Sequence, residues 1–144
     1  MGILSSLFRK KPKTAWDALQ DNPLFQQQKA LFDAMSAMCA EGVDANELPN
    51  GHGEFGLTPT NPISCKTVFG STAYLGRLRA PDGTKVEYAR IGSVQSEVSP
   101  NPIDAYEVAH RDGRKLATVY ISPYHQRISE RAPKGFTLVG NSFA

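Results

Sequence analysis

Cysteine, histidine and long apolar runs are all scarce in this chain, and each scarcity removes a class of protein. Cys39 and Cys65 are the only thiols in 144 residues. Two cysteines make no disulfide framework and cannot complete a zinc site alone, so reduced thiols in a cytosol-like compartment are expected. His52, His110 and His125 are scattered, with no pair at helical i, i+4 spacing, so no metal site is predicted and no cofactor is implied. No apolar run approaches the roughly 20 residues that a membrane-spanning helix needs. The opening MGILSSLF turns basic before the long apolar region of a secretory signal develops, which predicts a cytoplasmic protein.

Acid is missing from residues 1–13, which carry Arg9, Lys10, Lys11 and Lys13. This head is too short for a stable helix in water and is predicted to be a flexible basic terminus, with a single domain over residues 14–144. Its apolar cluster beside cations also suits weak contact with a membrane surface, which would make the cytoplasmic protein peripheral to the membrane. Gly2 and Ser6 fit the N-myristoylation pattern. Residues 14–61 then hold one lysine against seven acids, and residues 62–144 hold eleven bases against seven acids. Attraction between the two halves within the fold is the simplest use of that asymmetry.

What is present predicts the elements. Thr14 and Asp17 form a capping box for a short helix that turns Trp16 and Leu19 inward. Asn22 and Pro23 open a second helix over residues 23–41, closed by Gly42. Its stripe of Leu24, Gln28, Leu31, Met35 and Met38 keeps the helical period and is expected to face the core. Residues 43–64 hold three prolines, three glycines and three asparagines, which predicts a long irregular crossing. DGTK at 82–85 and DGRK at 112–115 are predicted turns, because strand-like residues follow each glycine where a phosphate loop would need a helix. Counting outward from the first turn sets Ala80 opposite Thr84, Leu78 opposite Val86 and Arg77 opposite Glu87. The second turn sets His110 opposite Arg114 and Val108 opposite Leu116. With a last strand at 135–139, the expected fold is α+β: N-terminal helices packed on one face of an antiparallel sheet of about five strands built from two β-hairpins.

GLTPTNPI, YLGRLRAPDGTKVEYARIGSV and YISPYHQRISERAPKGF together resemble a family of small bacterial proteins with no assigned activity. That family carries a Thr-Asn-Pro-Ile segment, a Leu-x-Arg-Leu hairpin running into Gly-Ser, and a Tyr-His-x-Arg segment before Ala-Pro-x-Gly. The likeness covers residues 54–138 and departs at Ser64-Cys65, where a second proline is expected. It implies one bacterial domain and brings no mechanism.

The densest polar cluster lies in SPYHQRISERAPKGF, where Tyr124, His125, Arg127, Arg131 and Lys134 are the candidate binding residues. Guanidinium forks suit phosphate or carboxylate. The expected function is non-enzymatic binding of an anionic small molecule or a protein partner, in a groove between the 43–64 crossing and the 122–134 segment. The alternative is a small hydrolase or transferase with His125 as general base and Cys65 or Ser64 as nucleophile. Nucleic acid is disfavoured, because the acidic helical half would repel phosphate.

Overall fold

The computed structural model describes Ala15, Ala18 and residues 21–140. The basic head and the Thr14–Asp17 capping box lie outside the described residues. The chain divides into two compact units, Met1–Ala34 and Met35–Ala144.

Helix α1 (Pro23–Met38) begins as its cap residues dictate. Asn22 Oδ1 accepts from the N–H groups of Leu24 at 2.8 Å and Phe25 at 3.4 Å. Lys29 and Asp33 pair across one turn at 2.9 Å. No residue of α1 is buried, and Leu24 and Leu31 are 61% and 63% exposed. The expected burial of this stripe is therefore not found. The helix also stops short of Gly42, which serves another purpose. A Cβ there would meet Tyr124 O at 2.1 Å and His125 Cα at 2.4 Å, so glycine lets two backbones touch.

The main sheet has four strands: β1 (Ile63–Ser64), β3 (Val86–Val94), β4 (Ile103–His110) and β5 (Lys115–Ser122). Their order is β1-β5-β4-β3. The expectation of a wholly antiparallel sheet is corrected here, because β1 runs parallel to β5 with Ile63 opposite Ile121. The crossing chain itself supplies that strand. Residues 56–65 follow the free edge of β5, with Tyr120 N–H donating to Gly56 O and Cys65 N–H to Ser122 O, both at 2.9 Å.

A second correction concerns Arg77, expected on a strand opposite Glu87, because residues 67–77 are helical. They form helix α2 (Thr67–Arg77), whose buried positions Thr67, Gly70, Ser71, Tyr74 and Leu75 keep a helical period. Strand β2 is only Leu78–Arg79 and pairs with β6 (Thr137–Leu138) in a separate two-stranded sheet. Leu78 thus faces Leu138, and Arg77 binds Glu130 rather than Glu87, through Nη1 at 3.3 Å and Nη2 at 2.8 Å.

Both DG turns close as expected. Ala80 N–H donates to Thr84 O at 2.9 Å and His110 N–H to Arg114 O at 2.8 Å. Gly83 and Gly113 take φ of 85° and 94°. A bulge after the second turn shifts the register, so Val108 faces Ala117 rather than Leu116. The two turns also share a histidine. His110 Nδ1 lies 3.1 Å from Asp112 N, and Nε2 lies 2.7 Å from Asp82 Oδ2. Thr84 and His110 hold the Asp82 carboxyl well below the usual carboxylate range.

The core gathers Tyr74, Leu75 and Leu78 from α2 and its exit with Tyr106, Val108, Val119 and Ile121 from the sheet. Phe55, Ile63 and Cys65 from the crossing complete it. No helix among the described residues is long and apolar enough to cross a membrane.

Candidate functional site

The 122–134 segment and the chain around residues 39–48 are stitched together by hydrogen bonds, and most of the expected site residues are stitches. Gln126 N–H donates to Val43 O at 2.9 Å, and its side-chain amide donates to Ala40 O and Gly42 O at 3.0 and 2.9 Å. Asn46 Oδ1 accepts from Arg127 Nη2 at 2.7 Å and from Glu130 N–H at 3.0 Å. Ser129 Oγ donates to Asn46 O. Arg127 also lies 3.7 Å from Asp44.

Arg131 turns elsewhere, to the Glu47 carboxylate, with its guanidinium carbon 4.7 Å from the centre of the Phe55 ring. The two arginines therefore engage separate partners on the crossing. Lys134 is exposed and pairs with no described residue. Tyr124 stands apart from these stitches: its hydroxyl donates to Pro102 O at 2.6 Å. Burial and then the nearby Asp104 charge raise its phenol above the usual range, which keeps that proton in place.

His125 is held at both ring nitrogens. Nδ1 accepts from Val43 N–H at 3.1 Å, so the proton of the neutral ring sits on Nε2, 2.9 Å from Ser122 Oγ. A general base needs the opposite arrangement, with Nε2 ready to accept. Burial lowers the His125 pKa and favours this neutral form. The expected nucleophiles are equally committed. Ser64 is fully buried and donates to Ala45 O at 3.1 Å. Burial pushes the Cys65 thiol up to about 12, which holds it protonated. Among the described residues no group of three or more His, Cys, Asp or Glu side chains could hold a metal ion.

A different site emerges on the other side of Tyr124. A cavity of about 340 Å³ is bounded by Met35 and Met38, by Thr67 and Val68 at the start of α2, and by Pro102, Pro123 and Tyr124. Arg90, Ser93 and Asp104 supply its polar end. Arg90 Nε donates to Asp104 Oδ1 at 3.0 Å, Nη2 lies 3.0 Å from the same oxygen, and Nη2 donates to Ser93 Oγ at 2.6 Å. The size falls within the range of small-molecule sites, as does the plan of apolar walls with a few polar groups.

Thr67 adds a signature. It has φ 60°, the one non-glycine residue at positive φ among the described residues, and it is buried. A β-branched side chain resists that region, at a cost of about 1–3 kcal/mol, so the surroundings must impose it. They do so through Thr67 N–H, which donates to Pro123 O at 2.9 Å, and through the short bridge between Lys66 and Tyr124.

Of the expected residues, only Tyr124 lies on this cavity. Sequence reasoning missed Arg90 and Asp104, although one signal was legible. Asp104 is a carboxylate inside the apolar strand run IDAYEV, and a buried acid needs a cation beside it. No protein family, curated protein or solved structure matches the chain.

Proposed function

We propose that this chain is a non-catalytic binding protein, and that its ligand is a small molecule seated in the cavity beside Tyr124. The observation that carries this reading is the coincidence of the strained Thr67 with the wall of an apolar-sided cavity that ends in Arg90, Ser93 and Asp104. Strain of this kind clusters where a fold shapes a binding surface. Met35 and Met38, expected in the core, instead give that cavity adaptable walls. The resemblance of residues 54–138 to small bacterial proteins supports reading the chain as a bacterial domain. The hydrolase or transferase alternative needs His125 as general base with Cys65 or Ser64 as nucleophile, and the proton on Nε2 and the commitment of both nucleophiles weigh against it. Binding to a protein partner or an anion through Arg127, Arg131 and Lys134 is the weaker form of the binding reading, because both arginines already hold the crossing.

The test is an NMR titration of the full chain with quinoline, an apolar bicyclic probe. Saturable shifts are expected at Met35, Met38, Val68 and Tyr124. Val68→Trp, at a half-exposed position, should abolish them by filling the space, and Thr67→Gly should weaken binding without lowering the melting temperature. Shifts scattered over the surface, or unchanged in Val68→Trp, would overturn the proposal.

A further inference from the structure

The polar end of the cavity has unspent hydrogen-bonding capacity of a definite pattern. Asp104 Oδ1 takes both contacts from Arg90, and no described residue donates to Oδ2. That oxygen is not sealed away, since Asn61 Oδ1 is the sole fully buried side-chain oxygen without a partner among the described residues. Arg90 uses Nε and Nη2, which leaves Nη1 as a free donor. Ser93 Oγ spends a lone pair on Arg90, and its own proton is donated to no described residue. Asp104 is 12% exposed at its side chain and Arg90 50%, so the acceptor is the deeper group and the donor stands nearer solvent.

We infer that Arg90, Ser93 and Asp104 read the N–H and C=O edge of a neutral cyclic amide, the lactam edge carried by many pyrimidine and purine bases. The inference rests on the cavity being the ligand seat. In this arrangement the ligand N–H donates to Asp104 Oδ2, while its carbonyl accepts from the Ser93 hydroxyl, and Arg90 holds both groups in place. The Arg90–Asp104 pair is neutral as a whole, so it offers an anion no net positive charge. A carboxylate acceptor and a hydroxyl donor held by one guanidinium suit a planar group that offers the complementary pair. Pro102, Pro123 and the Tyr124 ring supply apolar surface for the body of such a ring.

Three probes of nearly one size separate this inference from the reading beneath it. 2-Quinolone carries the lactam edge, N-methyl-2-quinolone has lost its N–H, and quinoline has neither N–H nor carbonyl. The natural chain should bind 2-quinolone about tenfold or more tightly than either of the others, because each leaves a polar group of the site unpaired. Asp104→Asn should reduce 2-quinolone to the affinity of its N-methyl analogue. Equal affinities for all three would overturn the lactam inference while the cavity reading survives. Binding of none of them would end both. The probe comparison on the natural chain decides the matter even if Asp104→Asn fails to fold.

Discussion

Thr67 and His125 are both held in states they would not choose alone, and the same short stretch of chain holds them. Thr67 is fixed at positive φ by the carbonyl of Pro123, two residues before the histidine. His125 is fixed as the neutral ring by Val43 N–H on one side and Ser122 on the other. Its pKa is lowered from the ordinary 6.5 by burial. The folded chain therefore binds fewer protons than the unfolded chain as pH falls below that value, so this contribution is complete above it and lost on acidification. Melting temperature should decline as pH drops from about 7.5 to about 5.5, and His125→Gln should flatten that slope while lowering stability throughout. A variant with the same slope as the natural chain would show that His125 does not titrate this way.

Among the elements, the DG turns were legible because their chemistry is contained in adjacent residues. Asp82 Oδ1 accepts from Thr84 N–H at 3.0 Å, Asp112 Oδ1 accepts from Arg114 N–H at 2.8 Å, and each glycine closes its loop. Nothing lies within 4 Å of a Cβ added at Gly83 or Gly113, so only the backbone resists a side chain there. Alanine at either position should cost about 1 kcal/mol, read from a denaturant melt, and a neutral result at both would contradict the positive φ. Helix α2 was hidden for the opposite reason. Thr67, Val68, Phe69, Thr72 and Tyr74 favour strands, and Gly70 and Gly76 are weak helix formers, so local preference pointed away from the helix. Tertiary packing overrides it: Gly70 comes so close to Ile128 that an added Cβ would sit 3.1 Å from Cγ1. The parallel strand β1 was equally invisible, since two residues cannot declare a pairing made with β5 almost 60 positions away.

Across the whole molecule, the candidate site was only partly legible because it is assembled from five separate stretches of chain. Tyr124 was found through the density of polar residues around it, and that same density misdirected Arg127 and Arg131, which satisfy the carbonyls and side chains of an irregular crossing. Asn46 is the centre of that arrangement. Asn46→Ala should cost about 1–2 kcal/mol by removing the shared acceptor of Arg127 and Glu130 N–H. Arg127→Ala, which breaks an exposed pair, should cost about 0–1 kcal/mol. Comparison of the two melts checks the assignment, and a larger loss for Arg127 would reverse it.

The stitches between residues 39–47 and 123–131 also impose an order on synthesis. Their partners stand more than 80 positions apart, with Val43 waiting for His125 and Asn46 for Ser129. While the chain is being made, residues 39–47 lack these partners, and the edge of β5 that β1 will occupy does not yet exist. The ribosome must deliver the chain through Pro123 before the cavity wall at Thr67 can be drawn into shape. A nascent chain halted before that point carries the cavity-lining residues without the geometry that gathers them, so the cavity forms only once Pro123 has been made.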